Sequence, residues 1–251
     1  MVKRAINMNE SSWLSDLVEF EQSIHYSTPI PFGESPFVHL TGTRPILISA
    51  PHSAIHMRNG RLKRAEGFTG ALAILLSQIT GAHALYINYR LPADPNWDQH
   101  TPYKTTLKRI IDAYQIQFVI DLHGMSNRHK IGIALGTING RSCPNEISLI
   151  ENTLQNHHFR KITQQEAKAH TKLDWHTFVK NHSRFTGGLS NHTITRYVTD
   201  TVGIPCIQIE LCSTIRVVFE DIPNGSPKTF RGNPKATRQM IRTFIDLIEL
   251  L

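Results

Sequence analysis

The chain has 251 residues, 40% of them hydrophobic and 19% charged, with a formal charge of +7 at neutral pH. This composition excludes an extended disordered protein, and a chain of this length buries enough surface to hold a core without disulfides or metal. One domain over residues 1–251 is expected, with residues 1–35 as an N-terminal helix and loop packed on it. Three cysteines, Cys143, Cys206 and Cys212, are too few and odd in number for a disulfide scaffold, which favours a reducing compartment. Lys3 and Arg4 lead into Ser11, Ser12 and Asp16, and no apolar run approaches a membrane span. The expectation is a cytoplasmic protein with no membrane partner. Only Arg58, Arg61, Lys63 and Arg64 form a tight basic group, and no interleaved aromatics accompany it, so nucleic acid is not an expected partner.

In chain order, Trp13, Leu14, Leu17 and Phe20 fall at helical spacing within 10–22, and Pro29, Pro31, Gly33 and Pro36 break the segment after it. Residues 37–40 and the proline-bounded apolar run 45–51 read as strands, with His52 just past the second. Asn59-Gly60 predicts a tight turn. Leu72, Leu75, Leu76 and Ile79 share a helical face, and Glu66 falls at or near the start of that helix, where the dipole favours a carboxylate. Ala84–Ile87 is a strand, Leu91–Pro95 is irregular, Thr105–Tyr114 a helix and Gln117–Leu122 the clearest strand.

Residues 131–135 suggest a further strand and 145–156 a helix, whereas the polar, histidine-rich stretch 161–182 shows no assignable pattern. A helix over 191–200, a last core strand over 205–211 and an amphipathic helix over 234–251 complete the chain. Alternating strands and helices argue an α/β fold with a mostly parallel sheet covered on both faces.

Three apolar strands finish on residues suited to metal binding or proton transfer: His52, the Asp121-Leu-His-Gly124 stretch, and Glu210. In an open parallel sheet the carboxyl ends share one edge, so these groups converge. Two imidazoles and one carboxylate are a donor set that zinc accepts in catalytic sites, which points to His52, Glu66 and His123 as ligands of one zinc ion per chain. Asp121, two residues before His123, leaves the same strand face and suits a carboxylate that orients the imidazole or another cation in the site, a bridge to a second metal being the alternative. Glu210 is then left for proton transfer from the attacking water to the leaving group. Taken singly, each histidine also reads as a surface or capping residue, and Glu66 as an ordinary helix-start carboxylate. Gly124, Gly187 and Gly188 permit close backbone approach or a positive φ, and equally read as turn punctuation.

Taken in order, Ser49-Ala-Pro-His-Ser53, Glu66 with Thr69, Asn88-Tyr-Arg90, Asp94-Pro-Asn96, Asp121-Leu-His-Gly124, Phe185-Thr-Gly-Gly188 and Gln208-Ile-Glu-Leu211 resemble the N-formylglutamate amidohydrolase family. That family belongs with the zinc carboxypeptidase-like and aspartoacylase-like hydrolases. The resemblance implies a three-layer α/β/α fold and zinc on His52, Glu66 and His123. It also implies Glu210 as the catalytic glutamate and amide cleavage of an acylated amino acid. Arg90 matches a position that helps bind substrate or stabilise the oxyanion, and Asn88, Asn96, Gly187 and Gly188 fall in substrate-facing motifs.

The chain departs from the pattern at Trp97, where related hydrolases often carry arginine after Asp-Pro-Asn. Arg184 is the alternative source of a charge that grips a substrate carboxylate, and it reads equally as a solvated loop residue. The implied partner is a small acidic acyl-amino acid or peptide. A zinc peptidase or a γ-glutamyl or polyglutamate hydrolase shares the same metal chemistry. A binding module on the same fold that has no catalysis, for a small ligand or a nucleic acid, is the reading from another class.

Overall fold

The computed structural model describes residues 10–218 and 232–251, so Lys3 and Arg4 lie outside the described residues. Its strands are β1 (Phe37–Leu40), β2 (Ile46–Ala50), β3 (His56–Arg58), β4 (Arg61–Lys63), β5 (His83–Ile87), β6 (Phe118–Met125), β7 (Ile131–Gly136), β8 (Arg160–Ile162), β9 (Asp174–Lys180) and β10 (Cys206–Cys212). The helices are α1 (Trp13–Gln22), α2 (Thr69–Thr80), α3 (Pro102–Tyr114), α4 (Ile147–Asn156), α5 (Gln164–Ala169), α6 (Ile194–Tyr197), α7 (Ser213–Arg216) and α8 (Pro234–Leu250).

Eight strands form one sheet in the order β1-β5-β2-β6-β10-β7-β9-β8, and β3 pairs with β4 in a separate hairpin. The central strands β5, β2, β6 and β10 are mutually parallel, while β1 and β7 join them antiparallel. The sheet is therefore mixed. Strands β2, β5, β7 and β10 are buried at every residue. Because successive side chains point to opposite faces, this needs cover on both sides. One layer is the mutually packed set α1, α2, α4 and α8. The other contains α3, whose Tyr103 hydroxyl meets Ser49 Oγ at 2.9 Å, and α6, whose Thr195 hydroxyl donates to Asp121 at 2.9 Å. The architecture is three-layer α/β/α, as expected.

Local chemistry explains the ends of these elements. Thr101 caps α3 ahead of Pro102, and the Asn233 side chain accepts from the Lys235 and Ala236 amides ahead of Pro234. At the β3–β4 turn Asn59 and Gly60 both take positive φ, 50° and 71°, the geometry that this dipeptide favours. Ten of the twelve residues of α2 are buried, because it packs against the sheet on one side and against α1 and α8 on the other.

Four expectations change. The helix expected near Glu66 begins only at Thr69, so Glu66 lies in the preceding loop, outside the first turn. β6 runs on to Met125, which places His123 and Gly124 inside the strand. The helix expected over 191–200 is the short α6 followed by a π-helical turn, Val198–Val202. The unassigned stretch 161–182 folds as the end of β8, α5 and β9. A half-exposed outer strand carries little apolar pattern, although Thr163 and Glu166 form a full capping box at the start of α5.

Candidate active site

Register at the sheet's carboxyl edge brings the chemical residues together. His123 of β6 is the Cα partner of Glu210 of β10, and Asp121 that of Gln208. His52 follows β2 by two residues, and Ser49 on that strand pairs with Asp121. Glu66 arrives from the loop before α2, and that loop is tied down at each residue. The Glu66 amide donates to His52 O at 2.8 Å, Arg216 donates to Gly67 O, the Phe68 amide donates to Glu21 Oε1 at 2.6 Å, and Thr69 Oγ1 donates to Glu66 O at 2.8 Å. Phe68 is held at φ 66°, a backbone conformation that an L-residue keeps only when its surroundings enforce it.

The Glu66 carboxylate sits between the two imidazoles. His52 Nδ1 lies 2.9 Å from Oε1, His123 Nδ1 lies 3.0 Å from Oε2, and the Gly124 amide donates to Oε2 at 2.9 Å. The remote nitrogen of each ring faces a second carboxylate, His52 Nε2 at 2.9 Å from Asp94 Oδ1 and His123 Nε2 at 3.0 Å from Asp121 Oδ1. A buried carboxylate there accepts only, so it fixes the proton on Nε2 and turns Nδ1 toward Glu66. Asp121 also accepts from the Thr195 amide and hydroxyl, and Asn96 Oδ1 accepts from the Ile194 amide at 2.7 Å. Asn96 Nδ2 lies 3.1 Å from His123 Nε2.

Electrostatics follow from this packing. Burial lowers the pKa of His52, but Glu66 and Asp94 outweigh it and raise it to about 9. His123 is likewise held well up by Asp121 and Glu66 against burial. Glu66 and Asp94 are held down by their histidine partners, again against burial. Glu210 behaves in the opposite way: burial pushes its carboxyl up to about 7, and Gln208 Nε2 donates to it at 3.1 Å.

His52, Glu66 and His123 can present one donor atom each within 4.8 Å of one another, as three ligands of one ion must. Donors on a tetrahedral zinc stand roughly 3.3 Å apart, so the 2.9 and 3.0 Å contacts to Glu66 need to open by only a few tenths of an ångström. Four carboxylates, Glu66, Asp94, Asp121 and Glu210, surround two imidazoles, with Arg58 and Arg216 as nearby permanent cations. Neutral imidazoles and a carboxylate, with a further carboxylate behind each ring, are donors that suit a divalent cation. A second grouping, His52, His56 and Asp94, shares one residue with the first. There Arg58 Nε already donates to Asp94 Oδ2, so a guanidinium fills the place of a second ion.

The cavity above the site has a volume of about 320 Å³ and is lined by His52, Glu66, His123, Glu210, Asn96, Arg184 and Gly188 among others. Gly187 lies just behind, its amide donating to Gln208 Oε1 at 3.0 Å, and a Cβ there would strike the Gly136 backbone. The structure does not bring Arg90 or Asn88 to this cavity. Arg90 is exposed, its amide bonded to Thr28 O, and the Asn88 amide bonds to Pro36 O. The guanidinium groups that line the cavity are those of Arg58, Arg128 and Arg184, and Arg58 stacks over Trp97 at 5.3 Å from the ring centroid. Trp97, the departure from the family pattern after Asp-Pro-Asn, thus supports an arginine from β3. Asp94, which holds His52, was legible only as part of a short motif; nothing in local periodicity marks it.

No family model matches the chain, and no curated protein matches it in sequence. Among solved structures, it is similar to a bacteriophage poly-gamma-glutamate hydrolase with TM-score 0.47 and 11% identity, over 85% of this chain and 90% of that one. It is similar to a Zn-dependent exopeptidase from Parabacteroides distasonis with TM-score 0.49 and 10% identity, over 98% and 99%. A metallo-carboxypeptidase from Burkholderia cenocepacia gives TM-score 0.45 and 10% identity, over 89% of this chain and 59% of that one. All three scores fall below 0.5, so the chemistry rests on the cavity's own residues.

Proposed function

We propose that the chain is a metal-dependent hydrolase of C–N amide bonds, acting on an N-acylated, N-formylglutamate-like amino acid. The observation that carries this reading is the donor triad His52, Glu66 and His123, with a carboxylate behind each imidazole and Glu210 beside it in strand register. One zinc ion held by the triad would supply a Lewis acid that polarises the scissile carbonyl and acidifies a water.

Glu210 takes a proton from the attacking water as the oxygen bonds to the carbonyl carbon. When the C–N bond breaks, it passes that proton to the departing amine. Its raised pKa, about 7, keeps both protonation states accessible at neutral pH. Gln208 orients the Glu210 carboxylate through Nε2, and the same side chain holds the Gly187 amide through Oε1. Arg58, pinned by Asp94 and Trp97, is the cationic group facing the developing oxyanion, and Arg184 faces a substrate carboxylate.

Glu210→Gln tests the assignment. Turnover of N-acyl amino acids is expected to fall about 10²–10⁴-fold with the bound metal retained. Equal turnover in variant and wild type removes Glu210 from the mechanism.

A further inference from the structure

A second cavity, of about 450 Å³, opens beside the first and shares Arg128, His129 and Arg184 with it. Arg128 and His129 lie on the 3₁₀ turn after β6, and Lys130 closes that turn at φ 61°. Lys168 comes from α5, and His182 and Arg184 from the loop after β9. His170 Nδ1 lies 3.1 Å from Lys130 O and ties the end of α5 to the turn. Among the described residues no carboxylate lines this cavity, and Arg128, Lys130, Lys168 and Arg184 form no ion pair.

Cations gathered without counter-charge repel one another. His129 shows it: burial first, then Arg128, His182 and Arg184, push its pKa down to about 4. His182 is lowered by burial and by Arg184 and Lys168. Elsewhere on the surface, basic residues such as Arg141, Arg160, Lys161 and Arg242 each find a carboxylate. Arg128, Lys130, Lys168 and Arg184 do not.

We infer that this basic cavity is a subsite for the anionic units of the substrate beyond the two residues that flank the scissile amide, so that the substrate is an acidic peptide or oligomer carrying carboxylates on successive residues. The inference rests on the amide-hydrolase reading of the neighbouring site and deepens it. A chain with one carboxylate against Arg184 continues directly into the second cavity, because the two share a wall. Carboxylates match guanidinium and ammonium donors in charge and geometry. Single-stranded nucleic acid is the less suited polyanion, since the described rings lining the basic cavity are all histidines and it needs broad aromatic platforms for its bases.

The test uses glutamate oligomers of two and four residues, in α- and γ-linked forms, with a Lys130→Ala/Lys168→Ala double variant. Both lysines lie outside the first cavity. The wild-type preference for tetramer over dimer in kcat/KM is expected to drop about tenfold in the double variant, through KM and not kcat, as loss of two charge contacts of ordinary strength predicts. The wild-type tetramer KM is also expected to rise more steeply with salt than the dimer KM. An unchanged tetramer-to-dimer ratio with no difference in salt response overturns the subsite.

Calorimetric binding of the tetramer to the Glu210→Gln protein separates the two claims. If no oligomer is cleaved but tetramer binding weakens about tenfold with the lysines removed, the subsite stands and the amidase reading falls. Cleavage of dimer and tetramer alike, indifferent to the lysines, leaves the amidase reading and removes the subsite. No tetramer binding at all, or tighter binding of an oligothymidine than of the tetramer, also overturns the proposal.

Discussion

Asp94→Asn isolates what the carboxylate behind His52 contributes. Asp94 is fully buried and takes four contacts: His52 Nε2 at 2.9 Å, His56 Nε2 at 3.3 Å, Arg58 Nε, and the Asn96 amide at 2.8 Å. Asparagine keeps the shape and one acceptor but removes the charge. Groups that orient a metal-bound histidine in this way are worth about 10–100-fold in metal affinity. Proton competition works against that loss at neutral pH. With its pKa near 9, wild-type His52 must give up a proton to bind an ion at pH 7, a competition of about a hundredfold from this ring alone that fades above pH 9. Removing Asp94 lowers the His52 pKa, so the variant escapes part of that competition. The affinity gap between wild type and Asp94→Asn is therefore expected to widen from pH 7 to pH 9 and to reach about 10–100-fold at the upper end. Competition against a chromophoric chelator across this range measures it. Equal affinities at pH 9, or a gap that narrows as pH rises, would refute the reasoning.

Two further outcomes depend on single residues. The acid limb of kcat/KM is expected between the ordinary glutamate value of 4.5 and about 7, activity rising with pH as Glu210 ionises, and a pH–rate profile flat across that interval contradicts the role given to it. Gly124→Ala places a methyl against the buried Arg216 guanidinium, which donates to Leu211 O and Gly67 O. A loss of about 1–3 kcal/mol in stability is expected from such overpacking, read as a lower Tm, and an unchanged Tm would show that Arg216 yields freely.

The sheet and the approach of His52 to His123 were legible because the buried strands are short and apolar and carry, at or near their carboxyl ends, polar groups that need partners. His123 and Glu210 could be placed at one edge from the rule that parallel strands share their carboxyl ends, and their register fell on adjacent positions. Glu66 was chosen because it precedes a helix shortly after His52 and could point back at the same crevice; what positions it is a loop tied to His52, Glu21 and Arg216, contacts from distant parts of the chain. Arg58 was visible only as one of four basic residues, since its role depends on β3 folding over Trp97. The basic cavity was hidden for a related reason. Its wall comes from the 3₁₀ turn, α5 and the loop after β9, three segments whose polar sequences carry no periodic signal and meet only in the tertiary fold.

The most direct measurement of the central claim is metal content by elemental analysis of protein purified without added metal, run beside His52→Ala and His123→Ala. About one zinc per chain in the wild type, lost in both variants, is the expected result. A wild type that holds no metal and takes up none on titration, or variants that retain it in full, would contradict the assignment of His52, Glu66 and His123 as the ligands.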